Sequence, residues 1–183
     1  NVEELGLYGP VSVDHLSDGS RLPYIDNLVN LLVSLEASRV SRDEMLRVLA
    51  PNGVAYIKQG DAWSKMVKPW PAEIDEWTHF LHDASNNAVA KDERVGPPRH
   101  LQWMAEPKRT RDHDALSSFT TMTSSHGRVF YILDEGPTSQ VHRRSQWSLI
   151  ARDAFNGCEL WRRPLKDWHQ TASYVKFVPT QLQ

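Results

Sequence analysis

The dipeptide Asn156-Gly157 restricts this chain more than any other feature, because it sits between two runs that read as strands. Trp147-Ser148-Leu149-Ile150-Ala151-Arg152 alternates before it, and Cys158-Glu159-Leu160-Trp161-Arg162-Arg163 follows. Both turn residues tolerate positive φ, so the pair predicts a two-residue hairpin between antiparallel strands. A second hairpin is expected just upstream. Ser117 to Thr123, rich in Ser and Thr, reads as an inner strand, and Ser125-His126-Gly127 supplies its turn. Arg128-Val129-Phe130-Tyr131-Ile132-Leu133 is an aromatic and β-branched strand closed by Asp134-Glu135-Gly136-Pro137. Lys176 to Gln183 reads as the start of a further strand.

The opening of the chain follows a different rule. Val11-Ser12-Val13 is a short strand, followed by a loop through Ser17, Asp18, Gly19 and Pro23. Leu28-Val29-Asn30-Leu31-Leu32-Val33 is an almost unbroken apolar run, as in a parallel strand covered on both faces. Ser41 and Glu44 have the spacing of a capping box, which predicts a helix whose apolar face is Met45, Leu46, Val48 and Leu49. Pro51-Asn52-Gly53 is expected to stop that helix, and Val54-Ala55-Tyr56-Ile57 to form the next strand. Strand, helix and strand make a βαβ unit with a right-handed crossover.

Between these regions, Gln59 to Trp77 holds Trp63, Pro69, Trp70, Pro71 and Trp77, and prolines at this density place a domain boundary here. Asn86-Asn87 and Asp92 to Pro98 read as loop, and His100-Leu101-Gln102-Trp103 as an extended lead-in to a sheet. The expected organisation is an α/β segment over 1–60, a Pro- and Trp-marked linker over 61–103 and a β segment over 104–183. Apolar residues at 40% and charged residues at 24% fit a chain with a packed core. A formal net charge of -2 with scattered Lys and Arg excludes nucleic acid as the expected partner. Leu28 to Leu35, the longest apolar stretch, is far too short for a membrane span. Cys158 is the single cysteine, so neither an internal disulfide nor a multi-cysteine metal site can form. A start at Asn1-Val2-Glu3-Glu4, without Met or a leader pattern, suggests a fragment of a larger parent.

Two stretches resemble known families. The run from Leu22 to Val33 (LPYIDNLVNLLV) and the run from Arg42 to Val54 (RDEMLRVLAPNGV) are similar to the fourth strand, following helix and fifth strand of class I S-adenosylmethionine-dependent methyltransferases. Asn30 stands where that family has Asp, and Asn52 where it has Gly. The family's Gly-rich cofactor loop and ribose-binding acid lie upstream of such a segment, and the chain contains neither, so no cofactor-binding residue is assigned. Ile150-Ala151-Arg152-Asp153-Ala154-Phe155-Asn156-Gly157-Cys158-Glu159-Leu160-Trp161 resembles the A-L-D-A-x-T-G-x-x-L-W repeat of PQQ-like β-propellers. In that family the Asp and Gly shape the turn and the Trp docks between blades. Its dehydrogenases add a vicinal Cys pair and calcium ligands, and this chain has no such pair.

The two resemblances imply an α/β partial Rossmann-like methyltransferase fold followed by antiparallel β, about one blade of a PQQ-like β-propeller. They are similar to bacterial multidomain proteins whose propellers are mostly exported, which implies a periplasmic or secreted parent.

Trp77-Thr78-His79-Phe80-Leu81-His82-Asp83 carries the most suggestive chemistry. On a helix His79 and His82 would share a face and, with Asp83, approach a metal. Zinc needs three or four ligands and no Cys pair or HExxH completes the set, so no metal residue is assigned. The favoured reading has the histidines bonding loop carbonyls while Trp77 and Phe80 pack. His79, His82, Asp83 and His126 are the candidates to face a ligand, and catalytic residues stay unassigned. The expected role is scaffolding and small-molecule or glycan binding without a complete active site in this chain, beside the missing flanking segments of the parent as partners. The rivals place a methyltransferase using S-adenosylmethionine, or a quinoprotein-type oxidoreductase using PQQ, in the intact parent.

Overall fold

A computed structural model describes residues 2–18, 20–36, 39–94, 96–97, 101–106, 118–137 and 145–166, with Thr120 described by its backbone alone. Gly19, Val95, Pro98 to His100, Ser117 and the strand expected over Lys176 to Gln183 lie outside these residues. The chain divides into two units, Asn1–Lys68 and Pro69–Gln183.

The first unit is a three-stranded sheet with one short helix. Strand β1 (Val29–Ser34) runs parallel to β2 (Leu49–Gln59), and β2 turns back at Gly60 into antiparallel β3 (Ala62–Val67), giving the order β1-β2-β3. Helix α1 (Arg42–Val48) connects β1 to β2. Ser41 caps it, its hydroxyl accepting from the Glu44 N–H at 3.2 Å. The other half of the expected capping box is absent: the Glu44 carboxylate instead accepts from the Leu22 N–H at 2.6 Å and from the Arg47 guanidinium. Arg47 bonds Asp26 as well, so one guanidinium ties the helix to the chain that precedes β1. Met45, Val48, Leu49 and Ala55 are almost fully buried and form the core with Leu22 and Val40.

The expected partial Rossmann-like methyltransferase fold is overturned. The described residues hold one seven-residue helix beside sheets of three and four strands. A doubly wound sheet needs helical crossovers on both faces; here β2 pairs antiparallel with β3, and α1 covers one face. Leu31 and Val33 are accordingly 59% and 55% exposed, so β1 is not covered on both sides. Pro51-Asn52-Gly53 does not stop the helix either, which ends at Val48. These residues form a bulge in β2: Val29 pairs with Leu49 but Leu31 with Val54. Asn52 takes φ 64, the Asn52 N–H donates to Lys68 O and the Lys68 N–H to Gly53 O, both at 2.9 Å. Gly53 is required by close approach, since a Cβ there would stand 2.7 Å from Ala50 O and 2.9 Å from Val29 O.

The second unit holds an antiparallel meander in the order β4 (Phe119–Ser125), β5 (Arg128–Asp134), β6 (Trp147–Asp153) and β7 (Glu159–Pro164). Tyr131, Leu133 and Ile150 share a face and pack with Val129, while Phe119 stacks on Tyr131 at 5.5 Å. The β6–β7 connection is longer than the two-residue turn expected from Asn156-Gly157. Gly157 takes φ 73 and Asn156 does not take a positive φ. Asp153 and Cys158 close a loop over Ala154–Gly157: the Asp153 N–H donates to Cys158 O, and the Gly157 N–H to Asp153 O, both at 2.9 Å. The Asp153 carboxylate accepts from the N–H groups of Phe155 and Asn156, a side-chain turn that competes with the tighter one.

Two tryptophans clamp the loops of this sheet. The Trp103 indole N–H donates to Ala154 O at 2.9 Å, with its ring lying against Gly157. Trp70 packs edge-on to Phe155 at 6.0 Å and meets Gly127. Arg152, 7% exposed, gathers Tyr131 Oη at 2.8 Å, Gly157 O at 2.9 Å, Glu159 at 3.2 Å and Glu106 O at 3.3 Å.

Candidate functional site

The residues singled out between Trp77 and Asp83 lie on a loop that Asp75 closes at its base. The Asp75 N–H donates to the Asp92 carboxylate at 2.6 Å, and the Asp75 carboxylate accepts from the N–H groups of Glu76 (2.8 Å) and Lys91 (2.7 Å). The Glu93 N–H reaches Glu73 O at 3.0 Å just outside. The loop therefore leaves and returns to one point, the form of a compact Ω-loop.

His82 fills the centre of this loop. It is 2% exposed, with Nε2 2.6 Å from Asp75 Oδ2 and its ring edge-on to Trp77 at 5.3 Å. The Trp77 indole N–H donates to Phe80 O at 3.2 Å, which fixes that ring in turn. Because ionised Asp75 only accepts, Nε2 carries the proton of this bond. Nδ1 has no hydrogen-bond partner and stands 3.4 Å from Asp83 Oδ2. The Lys91 ammonium lies at the same distance from that oxygen.

The acids are held ionised by local donors. Backbone bonds from Lys91 and Glu76, then the bond from His82, lower the Asp75 pKa below the ordinary carboxylate range. The Ser85 hydroxyl and N–H lower that of Asp83 to about 2.

His79 and His82 are not on a helix. They face each other as a one-bridge turn, the His79 N–H donating to His82 O at 3.1 Å, and His82 takes φ 70. That backbone points the two rings apart: the half-buried His79 bonds the Thr78 hydroxyl at 2.9 Å while His82 turns inward. Of the four residues chosen from the sequence, the structure brings His82 and Asp83 together. His126 belongs to the β4–β5 turn, is exposed, takes φ 48, and bonds Ser125 and Glu76 rather than another histidine.

Glu76 and Trp77 hold the loop against that turn. The Ser124 N–H donates to Trp77 O at 2.7 Å, the Trp77 N–H to the Ser124 hydroxyl at 3.0 Å, and Glu76 accepts from the Ser125 hydroxyl and His126 N–H. Asp75, Glu76 and Lys91 escaped the sequence reading. Their one visible signal was an acid seven residues before a histidine, a spacing that on its own suggests a helical face rather than this loop. Among the described residues no group of three His, Cys, Asp or Glu side chains is placed to hold a metal ion.

His82 is 2% exposed and bonded to Asp75, so it braces the loop from within. The polar groups exposed to solvent here include Thr78, Ser85, Asn86, Asn87, Lys91 and, on the adjoining turn, His126, beside the exposed apolar Val89. They offer hydrogen-bond donors and acceptors on a backbone with positive φ at His82, Asn86 and His126. No family model, curated protein or solved structure matches the chain. Among the described residues, no helix is long and apolar enough to cross a membrane.

Proposed function

We propose that this chain is a scaffolding and ligand-binding part of a PQQ-like propeller protein, and that the loop over 75–92 with the turn at Ser125–Gly127 presents its binding surface. The observation that carries the reading is the bond between buried His82 and half-buried Asp75, which fixes a polar loop against the end of an antiparallel meander. Holding polar groups in place before the ligand arrives reduces the ordering cost of binding. Amide, imidazole and ammonium groups without a strong charge excess suit a neutral polyhydroxyl ligand, which makes a glycan the favoured class. The order β4-β5-β6-β7 and the Trp-clamped loop at Asp153 to Cys158 support the propeller-type scaffold. The resemblance of Ile150 to Trp161 to the PQQ-like repeat implies a periplasmic or secreted parent.

The test is a titration of the chain with a panel of neutral oligosaccharides, followed by amide chemical shifts. The reading requires saturable shifts at 78–91 and at Ser125–Gly127, weakened by Asn87→Ala and Lys91→Ala. Shifts confined to other residues, or none across the panel, would refute it.

A further inference from the structure

The first unit carries a groove of about 540 Å³ between α1 and the hairpin of β2 and β3, a volume in the range that takes a small molecule. Its apolar lining includes Val40, Met45, Ile57 and Met66, all members of the core cluster or packed against it, so one side of the groove is the surface of the core itself. Its polar lining is Arg42 at the start of the helix, Gln59 at the end of β2, and Ser64 and Lys65 of β3. The Ser64 hydroxyl donates to Ile57 O at 3.3 Å and braces the hairpin here.

Other cations of this unit are bonded within the fold: Arg47 meets Glu44 and Asp26, and Lys68 Nζ meets Asn27 Oδ1 at 2.6 Å and Leu49 O at 2.8 Å. Arg42 and Lys65 make no hydrogen bond or ion pair among the described residues, and no acid lines the groove with them. Asp43 and Glu44 adjoin Arg42 in sequence but lie outside the lining, and Glu44 is bonded to Arg47. The groove along β1 differs, since Asp14 and Glu36 line it beside Arg39. Arg42 also occupies the first turn of α1, where the exposed N–H groups favour an acid over a cation. Two positive side chains therefore flank one partly apolar hollow to which the fold supplies no counter-charge.

We infer that this groove binds a small amphipathic anion, a carboxylate or phosphate head on an apolar body. The head bonds Arg42, whose guanidinium presents paired donors to either oxyanion, with Lys65 as a point charge and the Gln59 amide as a neutral donor. The body lies on Met45, Met66 and Ile57, where the thioether side chains adapt to apolar groups of differing shape. A neutral ligand would leave both cations without a counter-charge, and a ligand charged at both ends would set one charge against the core. The inference concerns the first unit and does not depend on the ligand proposed for the loop over 75–92.

The test isotope-labels the methionine methyl groups of the whole chain and follows them by NMR. Met45 and Met66 report on the groove, while Met104 and Met122, in the second unit, serve as controls. Octanoate and octyl phosphate are titrated separately, below their micelle-forming concentrations. At least one of them should give saturable shifts at Met45 and Met66 and none at the controls, and the one that binds more tightly fixes the head group. Octanol should bind about tenfold more weakly, and Arg42→Gln and Lys65→Gln, both at exposed positions, should each weaken the anion by about threefold. Equal binding of octanol, or anion binding that the substitutions leave unchanged, would reduce the groove to apolar adhesion and overturn the inference. Shifts at all four methionines, or saturable shifts with neither anion, would overturn it as well.

Discussion

Replacing Gly157 by alanine should damage the second unit by two separable routes. The backbone there sits at φ 73, where a residue with a Cβ is disfavoured by roughly 1–2 kcal/mol. The added Cβ would also fall 2.4 and 2.5 Å from atoms of the Trp103 indole, inside any permitted contact. That ring cannot simply swing aside, because its N–H is bonded to Ala154 O at 2.9 Å. Losing this bond adds about 1 kcal/mol, which brings the total to roughly 2–4 kcal/mol once some ring packing is lost. In urea this corresponds to a midpoint lower by roughly 1–2 M, followed by far-ultraviolet circular dichroism. Gly60→Ala is the internal control. It has φ 62 and nothing within 4 Å of the added methyl, so only the backbone part, roughly 1–2 kcal/mol, applies. The decisive measurement is the cycle with Trp103→Ala. If the indole causes the excess, Gly157→Ala should cost about 1–2 kcal/mol less in the Trp103→Ala background. An unchanged cost would show that Trp103 does not hold this loop.

Three further outcomes follow from the structure. Gly53→Ala should destabilise the first unit by on the order of 2 kcal/mol although Gly53 has no positive φ, because Ala50 O and Val29 O are backbone atoms that cannot yield; thermal unfolding measures it. The Glu44 carboxyl is lowered from 4.5 to about 2 by Arg47 and the Leu22 N–H, so its contribution is complete above pH 4.5 and fades as the pH falls toward 2. Glu44→Gln should flatten that part of the acid-unfolding curve, and an unaltered curve would remove the assignment. His82→Ala should leave Asp75 without its ring partner and cost about 1–3 kcal/mol, read as faster amide exchange over 76–91 with exchange in β5 and β6 little changed.

What the sequence revealed divides along the range of the interactions involved. Ser41 as a helix cap, and β5, β6 and β7 as strands, were visible because capping and alternation are set by residues a few positions apart. Pro51-Asn52-Gly53 carried the right composition for a break but the wrong interpretation. A bulge and a helix stop ask for the same residues, and only the pairing with Lys68 separates them. The apolar run in β1 likewise announced burial without saying how many faces the fold would cover. In the candidate site, the three-residue interval between His79 and His82 suggested a helix, whereas φ 70 at His82 turns the chain back on itself. The partner that defines the role of His82 is Asp75, brought near by the closure with Lys91 and Asp92, and no local period encodes that closure.

Arg152 gives the second unit a property its strands alone would lack. A planar guanidinium with donors fixed in direction serves a phenol, two main-chain oxygens and a carboxylate drawn from β5, the β6–β7 loop, the stretch at Glu106 and β7. Peeling any of these away leaves a nearly buried cation short of a partner, so fraying at one place is opposed by the same group that opposes it at the others. Loss of order in this region is thereby made concerted, and lysine, with a single point of charge, would not reproduce the coupling.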